Sequence, residues 1–259
     1  MNYRSITYFN LKFEKSGGRF VTKIAIISDI HGNKTALEAV LNDIRLRKIE
    51  RIFCLGDLIG KGPQGSECIE LIQKNCEQVV RGNWDIFIQS PAENDFIQWF
   101  KDRLTEKNYQ YLSSLPFNID LELNGQLIRF FHASPRSEFE RILPSHPIEK
   151  RLSMFENSEV TNSITSNKLP DIVFYGDIHT TFLHTYNKGI LCNVGSVGNS
   201  LDLTSASYAI LDGTHSNNAI QFVRVDYDRQ GELKIAEELG LPQLDKYYDE
   251  IMLAQYRNA

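Results

Sequence analysis

The chain contains a series of metal-ligating side chains that each follow a short apolar run. In order they are Asp29-Ile30-His31, Gly56-Asp57, Gly82-Asn83, His132 and Gly176-Asp177-Ile178-His179. Carboxylate, imidazole and amide groups in this number could hold two metal ions, which hydrolytic sites keep about 3.5–4 Å apart. One short carboxylate must then bridge the ions. Imidazole combined with carboxylate suits manganese, iron or zinc, so the series indicates a two-metal hydrolytic centre.

These side chains lie far apart in the sequence, so the fold must gather the ends of several strands. The apolar runs that precede them occupy residues 24–28, 51–55, 78–80, 127–131 and 172–175. Short apolar runs separated by helical patterns are typical of buried strands in a layered α/β sheet. Because ligands gather at the carboxyl ends of such strands, we expect these side chains to meet there.

A single residue of this kind would carry little weight. An Asp or Asn after a strand more often forms a turn or caps a helix, and a lone His132 would more often be a hydrogen-bonded core residue. Five such residues in succession favour metal ligation over the structural interpretation. Glycines stand beside three of them and would leave room for a metal or a phosphate.

The order and spacing of these motifs resemble the calcineurin-like metallophosphoesterase superfamily from about residue 22 to residue 200. The family pattern runs Asp-x-His, Gly-Asp, Gly-Asn-His-Asp/Glu, His and Gly-His-x-His. The resemblance implies two ligand sets joined by one bridging carboxylate, and two divalent ions. The implied ligands are Asp29, His31 and His179 for the first ion, Asp57 as the bridge, and Asn83, His132 and Asp177 for the second.

The order of elements and the resemblance predict an α/β (α+β) fold, a four-layer α-β-β-α sandwich of two mixed sheets flanked by helices. We expect 22–259 to form a single metallophosphoesterase domain and 1–21 to be an extension outside the core. A mostly helical stretch at about 85–115 is expected as an insertion beside the site. The other expected elements are strands at 22–28, 51–55, 77–81, 171–176, 207–211 and 219–226, helices at 34–47, 65–74 and 234–257, a hairpin at Asn124-Gly125 and a loop at 157–168.

The chain departs from the family pattern at position 84. The family normally has His after the motif Asn, and that His is taken to protonate the leaving oxygen, but this chain has Trp84. A positioned proton donor contributes about 10²–10⁴-fold and matters most for a basic leaving group. We therefore expect activated diesters or phosphoanhydrides to be cleaved in preference to ordinary monoesters. The Trp84 ring could stack on a nucleobase or pack in the core, as an aromatic residue at a helix start more often does.

The second departure is Asp177, where the family usually has His. Together with Asp29 and Asp57 it would give the site three carboxylates, which favours Mn²⁺ or Fe²⁺/Fe³⁺ and leaves Zn²⁺ as the other candidate. The alternative is that Asp177 misses the metal and the second site is weak. We expect ligation, because the strand-end position is kept and carboxylates are standard partners for these ions.

Residues beside the motifs are further candidates. The catalytic candidates are Asp57, Asn83 and Asp85, although an acid such as Asp85 at a helix N-terminus has a plainer structural explanation. The candidate substrate contacts are Asn33, Trp84, Arg136 and Ser196, for which a solvated loop or a structural turn is the competing interpretation.

The C-terminal sequence resembles one branch of the family more closely than the other branches. Residues 224–228, Leu241-Pro242 and Tyr247-Tyr248 are similar to bacterial asymmetric diadenosine tetraphosphate hydrolases, and residues 28–40 to bacterial small phosphodiesterases. The resemblance implies attack of a metal-bridging hydroxide on a phosphodiester or phosphoanhydride, with a dinucleoside polyphosphate as the leading substrate. The alternatives are a serine/threonine protein phosphatase, which the missing His disfavours, and a catalytically weak scaffold of the same fold, which would need lost ligands.

Composition limits the function classes. The chain has 259 residues, 42% hydrophobic and 24% charged, as in an ordinary soluble domain. The net charge of −5 argues against a broad nucleic-acid surface or a membrane surface but allows a small phosphorylated substrate such as a nucleotide. The four cysteines show no paired spacing, and no apolar segment could span a bilayer or serve as a signal peptide. A cytoplasmic location is therefore expected.

Overall fold

Two five-stranded mixed sheets form the centre of the computed structural model, which describes residues 23–161 and 168–256. In chain order the elements are β1 (Lys23–Ile27), α1 (Lys34–Leu46), β2 (Arg51–Cys54), α2 (Gly65–Asn75), β3 (Gln78–Val79), α3 (Asn83–Phe87), α4 (Asp95–Lys101), α5 (Glu106–Ser114), β4 (Asn118–Leu123), β5 (Gln126–Phe131), α6 (Ile148–Leu152), a short 3₁₀ helix (Ser153–Phe155), β6 (Ile172–Tyr175), β7 (Thr181–Tyr186), β8 (Gly189–Val194), β9 (Ala206–Asp212), β10 (Ala219–Val225), α7 (Arg229–Glu238) and α8 (Leu244–Leu253).

The first sheet has the strand order β10-β9-β1-β2-β3, and the second has the order β4-β5-β6-β8-β7. In the first sheet β1, β2 and β3 run parallel, and in the second β5, β6 and β8 run parallel. The outer strands of each sheet add antiparallel pairs. The parallel strands of each sheet therefore direct their carboxyl ends to a common edge, where the motif residues follow them.

Alternation along β1 explains how the layers assemble. Ile24 and Ile26 face the second sheet and pack with Phe130 and Phe174, whereas Ala25 and Ile27 pack against the helices. Helices α1–α5, α7 and α8 cover that outer face of the first sheet. The outer face of the second sheet is covered by α6, the 3₁₀ helix and the loop that precedes them. The predicted arrangement of two mixed sheets flanked by helices is confirmed.

Several boundaries differ from the sequence expectations. Strand β3 has only two residues rather than the five expected, and the helical stretch at 85–115 is divided among α3, α4 and α5. The C-terminal helix expected around Pro242 is two helices, because Gly240 adopts φ 69° and Pro242 follows it. The hairpin at Asn124-Gly125 is confirmed by the β4–β5 pairing.

Other expectations concern residues that the structure describes only in part. Residues 1–22 and 257–259 lie outside the described residues, as do 162–167 of the expected loop, and the expected terminal helix at 234–257 loses only its last residue in this way. The division into an extension and a single domain stays a prediction. Within the described part of the chain, no helix is long and apolar enough to span a membrane.

Candidate metal centre

Four buried side chains from both sheets converge beyond the carboxyl ends of the parallel strands. Asp29 and His31 follow β1, Asp57 follows β2, and His179 follows β6. One ligand atom from each lies within 4.8 Å of the others, and all four residues are buried. The sequence expectation that these residues meet is therefore matched by the geometry.

The imidazole nitrogens of this cluster lie unusually close together. His31 Nε2 is 3.0 Å from His179 Nε2 and 3.5 Å from Asp57 Oδ2. His179 Nε2 is also 3.3 Å from Asp29 Oδ1, a buried oxygen that accepts no well-aligned hydrogen bond from the described residues. An orphaned carboxylate oxygen facing two imidazole nitrogens is a costly arrangement without a cation.

Backbone carbonyls fix which nitrogen of each ring carries the proton. His31 Nδ1 faces the carbonyl of Ile59 at 3.2 Å, and His179 Nδ1 faces the carbonyl of Asn199 at 2.7 Å. A carbonyl can only accept, so Nδ1 donates in both rings and the neutral ring presents a lone pair at Nε2. Two such lone pairs next to carboxylates form the donor set that a divalent transition metal prefers, so these residues fit the metal.

A second group of potential ligands adjoins the first through Asp57. His132 Nε2 lies 3.5 Å from Asp57 Oδ1 and 2.9 Å from Asn83 Oδ1, while its Nδ1 faces the carbonyl of Leu55 at 2.7 Å. Asp57 thus has one oxygen towards His31 and the other towards His132. This is the placement that a carboxylate bridging two ions requires.

Charge in the metal-free centre shifts the pKa values of these groups. Burial and the ammonium of Lys61 hold the pKa of His31 well below its usual value, so this imidazole is neutral. Burial lowers the pKa of His132, but the carboxylates of Asp57, Asp29 and Asp177 outweigh it and raise the pKa to about 9. Burial raises the pKa of Asp57 well above its usual range. Protons therefore hold this part of the centre together when no metal is bound.

The backbone at the site adopts a conformation that side chains other than glycine rarely take. Positive φ angles occur at Asp29 (54°), His31 (48°), Asp57 (56°), Asp177 (66°) and His179 (58°). Both Asp-Ile-His triplets thus have left-handed residues at their two polar positions. Such residues cost about 1–3 kcal/mol each and cluster at functional sites, where the surrounding structure enforces them.

Glycines beside the ligands leave room for the carboxylates themselves. A Cβ at Gly82 would collide with Oδ1 and the backbone nitrogen of Asp57, and a Cβ at Gly176 would collide with Ser28 Oγ and approach Asp29 Oδ2. The sequence predicted that this room would serve a metal or a phosphate. In the structure it serves the close approach of neighbouring motif loops.

Asp177, expected as a ligand of the second ion, has a different partner. Both of its carboxylate oxygens bind Arg141, through Nε at 3.0 Å and Nη2 at 2.9 Å. Asp177 is not among the four clustered ligands. A guanidinium that binds both oxygens uses lone pairs that a metal would need, which weighs against ligation by Asp177.

Asp85 and Trp84 support the loop that carries Asp57. The buried Asp85 carboxylate accepts hydrogen bonds from the backbone N–H groups of Asp57, Leu58 and Gly82, at 2.8–2.9 Å. These bonds engage both of its oxygens, so the structure gives it a positioning role rather than contact with reacting atoms. The backbone N–H of Trp84 donates to Asp57 Oδ1 at 2.8 Å.

The Trp84 ring packs in the core and also borders the cavity. It makes edge contacts with Phe87 and Phe100, at centroid distances of 5.9 and 6.1 Å, and covers Gly60. It is also half-buried and lines the cavity in front of the metal cluster. An aromatic wall is thus available to a substrate.

The other three expected substrate contacts have structural partners. Asn33 is fully buried, caps α1 through Ala36 N and donates to the carbonyl of Gly198. Ser196 is also fully buried and donates to the carbonyl of Asp29. Arg136 binds Glu140 and Ser153 and does not line the cavity. Asn33 and Ser196 position the site without facing the cavity, because their hydrogen bonds stabilise the loop around Asp29.

Sequence reasoning missed one wall of the site. A cavity of about 490 Å³ in front of Asp57, Asn83 and His179 also has a cationic and aromatic lining. The missed residues in this lining are Lys61, Arg141, Lys246, Glu250 and Tyr256. Three of them come from α8 and the residues after it, a segment to which the sequence assigned no chemistry.

Comparison with known proteins bears on this geometry. Residues 22–216 match the calcineurin-like phosphoesterase superfamily domain. The chain belongs to the calcineurin-like phosphoesterase superfamily. The family resemblance inferred from the motifs is thereby confirmed, and the match ends before α7 and α8 begin.

Individual relatives agree with this assignment. An uncharacterized protein of Methanocaldococcus jannaschii, MJ0912, is 35% identical over 232 residues, covering 79% of this chain and 88% of its own. The crystal structure of a metallophosphoesterase from Sphaerobacter thermophilus has 25% identity and a TM-score of 0.73, covering 90% of this chain and 99% of its own. Protein PH1004 of Pyrococcus horikoshii OT3, with a TM-score of 0.70 at 19% identity over 91% of this chain and 98% of its own, shows the shared fold.

This calcineurin-like phosphoesterase is therefore an enzyme that hydrolyses phosphoric ester or anhydride bonds with divalent metals. The buried cluster supplies the ligand types that such metals need.

Proposed function

We propose that the protein is a two-metal phosphohydrolase that cleaves phosphodiester or phosphoanhydride bonds, and that a dinucleoside polyphosphate is its substrate in the cytoplasm. One observation carries the metal proposal: the Nε2 atoms of His31 and His179 lie 3.0 Å apart, although both Nδ1 atoms face carbonyls. Mn²⁺ or Fe²⁺/Fe³⁺ suits this mixture of imidazole and carboxylate, with Zn²⁺ as the other candidate.

The proposed roles follow the two ligand groups. Asp29, His31 and His179 would hold one ion, Asn83 and His132 the other, and Asp57 would bridge them. When bound, such a pair supplies an acidified water as nucleophile and positive charge against the phosphoryl oxygens. Two groups keep the loop that carries Asp57 in place. Asp85 accepts from the Asp57 backbone N–H, and the backbone N–H of Trp84 donates to Asp57 Oδ1.

The choice of bond rests on position 84. Trp84 places an indole where the family pattern has an imidazole, and an indole cannot donate an acidic proton to the leaving oxygen. A leaving group that is already a weak base needs little protonation. Nucleoside phosphates released from a polyphosphate chain meet that condition, and the half-buried Trp84 ring offers a face for a base.

A substrate panel tests this proposal. Protein loaded with Mn²⁺ is incubated with bis-p-nitrophenyl phosphate, p-nitrophenyl phosphate, diadenosine tetraphosphate and a phosphoserine peptide, and the products are identified by mass. The expected result is about two ions per chain and turnover of the diester and the dinucleotide well above that of the monoester. Preference for the phosphopeptide would support a protein phosphatase instead, and loss of all metal on desalting would support a scaffold.

A further inference from the structure

Three basic side chains line the cavity in front of the metal cluster. They are Lys61, Arg141 and Lys246, and the same cavity is bordered by Asp57, Asn83 and His179. None of the three belongs to a family motif that the sequence carries. Their positions, fixed by separate elements of the fold, call for an explanation beyond metal binding.

Arg141 is anchored at the site by Asp177. Its ion pair uses Nε and Nη2, and Nη2 also lies 3.3 Å from the Asp177 carbonyl, so the guanidinium plane is fixed. The Nη1 amino group stays outside the bonds to Asp177, the Tyr256 side chain also interacts with the guanidinium, and the Arg141 side chain is 45% exposed. An arginine held in this way presents a planar donor edge suited to phosphate oxygens. A neutral imidazole at position 177 would provide no charge to hold it.

Lys61 is placed next to the ligand His179 through Asn199. Its ammonium donates to Asn199 Oδ1 at 2.8 Å, and both that oxygen and the Asn199 carbonyl face His179 Nδ1 at 2.9 and 2.7 Å. The Lys61 side chain is only 10% exposed and lies 3.6 Å from Glu250. A buried ammonium in a cavity wall interacts strongly with an anion, because little water screens it.

Lys246 approaches the cavity from α8, one helical turn before Glu250. Asp177 binds Arg141 and Glu250 lies 3.6 Å from Lys61, while Asp57, the third acid that borders the cavity, faces the imidazoles of His31 and His132. Lys246 adds a further positive charge to this wall. Helix α8 lies outside the residues that match the family domain. The cationic wall is thus assembled partly from a segment that the family domain does not include.

We propose that Arg141, Lys61 and Lys246 form a subsite for a second phosphate group, adjacent to the phosphorus that is cleaved. This inference rests on the proposed function and narrows it from both bond types to phosphoanhydrides. A simple diester has one phosphorus and cannot reach both the metal cluster and this wall. A di- or polyphosphate occupies both, and the aromatic rings of Trp84 and Tyr256 border the same cavity.

The test measures binding without turnover. Isothermal titration of Mn²⁺-loaded protein compares methylenediphosphonate, whose P–C–P link is not hydrolysed, with methylphosphonate. We expect the wild type to bind the diphosphonate at least about tenfold more tightly, because charge-assisted hydrogen bonds contribute about a factor of ten each. Arg141→Met and Lys246→Met should each weaken diphosphonate binding about five- to tenfold and change methylphosphonate binding less than about twofold.

Matched controls are Arg45→Met on α1 and Lys234→Met on α7, two surface residues outside the cavity. Neither should alter the affinity for either probe. Equal loss of both probes in the Arg141 and Lys246 variants, or no loss, overturns the subsite. If neither bis-p-nitrophenyl phosphate nor diadenosine tetraphosphate is hydrolysed but the selective loss is observed, the proposed function fails and the subsite stands.

Discussion

His31 Nε2 lies 3.0 Å from His179 Nε2, and the two imidazoles come from different sheets. His31 follows β1 of the first sheet and His179 follows β6 of the second, each at the end of an Asp-Ile-His triplet with the same left-handed backbone. A cation shared by the two rings would connect the two sheets directly. Metal binding should therefore stabilise the fold as well as create the chemistry.

Because Asp57 would bridge the two ions, substitution of this residue should reduce activity more than substitution of any other proposed ligand. Asp57→Asn should lower activity by at least about a thousandfold, because a neutral amide cannot hold two cations together. The chain should still fold, since the side-chain amide oxygen of the new Asn can accept the hydrogen bond from the backbone N–H of Trp84.

Activity on bis-p-nitrophenyl phosphate, bound metal and thermal unfolding are the measurements. Asp95→Asn, at an exposed position of α4, is the matched control and should change none of them. Normal turnover in the Asp57 variant would contradict the bridging role.

The pKa shifts predict how pH acts on the metal-free protein. The His132 pKa is raised from 6.5 to about 9, so its contribution to stability is complete below pH 6.5 and is lost as pH rises through about 9. The free energy of unfolding of metal-free protein should therefore fall between pH 6.5 and 8.5.

Metal binding has the opposite dependence, since ligands must lose their protons before they bind. The gap in melting temperature between Mn²⁺-loaded and metal-free protein should widen from pH 6.5 to 8.5. Calorimetry of both forms at the two pH values measures this gap. A gap that narrows over this interval would contradict protonation of the empty centre.

Replacing Trp84 tests the argument on the leaving group. Trp84→His should raise monoesterase turnover by about tenfold or more, because an imidazole can protonate a basic leaving oxygen. It should also lower stability by about 2–4 kcal/mol, since the indole packs against Phe87 and Phe100. Trp84→Phe is the control, because it keeps an aromatic ring without adding an acid. Equal monoesterase rates in the two variants would mean that the missing His does not determine the preference.

The buried carboxylate of Glu232 connects helices α7 and α8 to α1 through hydrogen bonds. Glu232 on α7 accepts hydrogen bonds from Thr35 Oγ1 at 2.7 Å and from the Tyr247 hydroxyl at 2.8 Å. Tyr247→Phe leaves one of these acceptors unsatisfied and should cost about 1–3 kcal/mol of unfolding free energy. Since α8 lines the cavity, the variant should also weaken diphosphonate binding. Tyr248→Phe, at the exposed neighbouring position, should change neither quantity.

The sequence predicted which polar side chains meet because each lies in a short local motif at a strand end. Asp29, His31, Asp57 and His179 need only the parallel register of the strands to meet. The order of apolar runs therefore predicted the sheets as well as the centre of the site.

The cavity wall could not be predicted in this way. Lys61, Arg141 and Lys246 come from two loops and a helix, and no spacing connects them in the chain. The partner of Asp177 was missed for the same reason. A strand-end carboxylate predicts a ligand, but a salt bridge with Arg141 depends on the path of a distant loop.

The position of α8 at the end of the described chain has a consequence for the order in which the protein is made. All the ligand residues have been synthesised by His179, and both sheets are complete at Val225. Lys246 and Glu250 emerge only afterwards. During synthesis the candidate ligands can therefore meet before α8 supplies the last residues of the wall that faces the substrate.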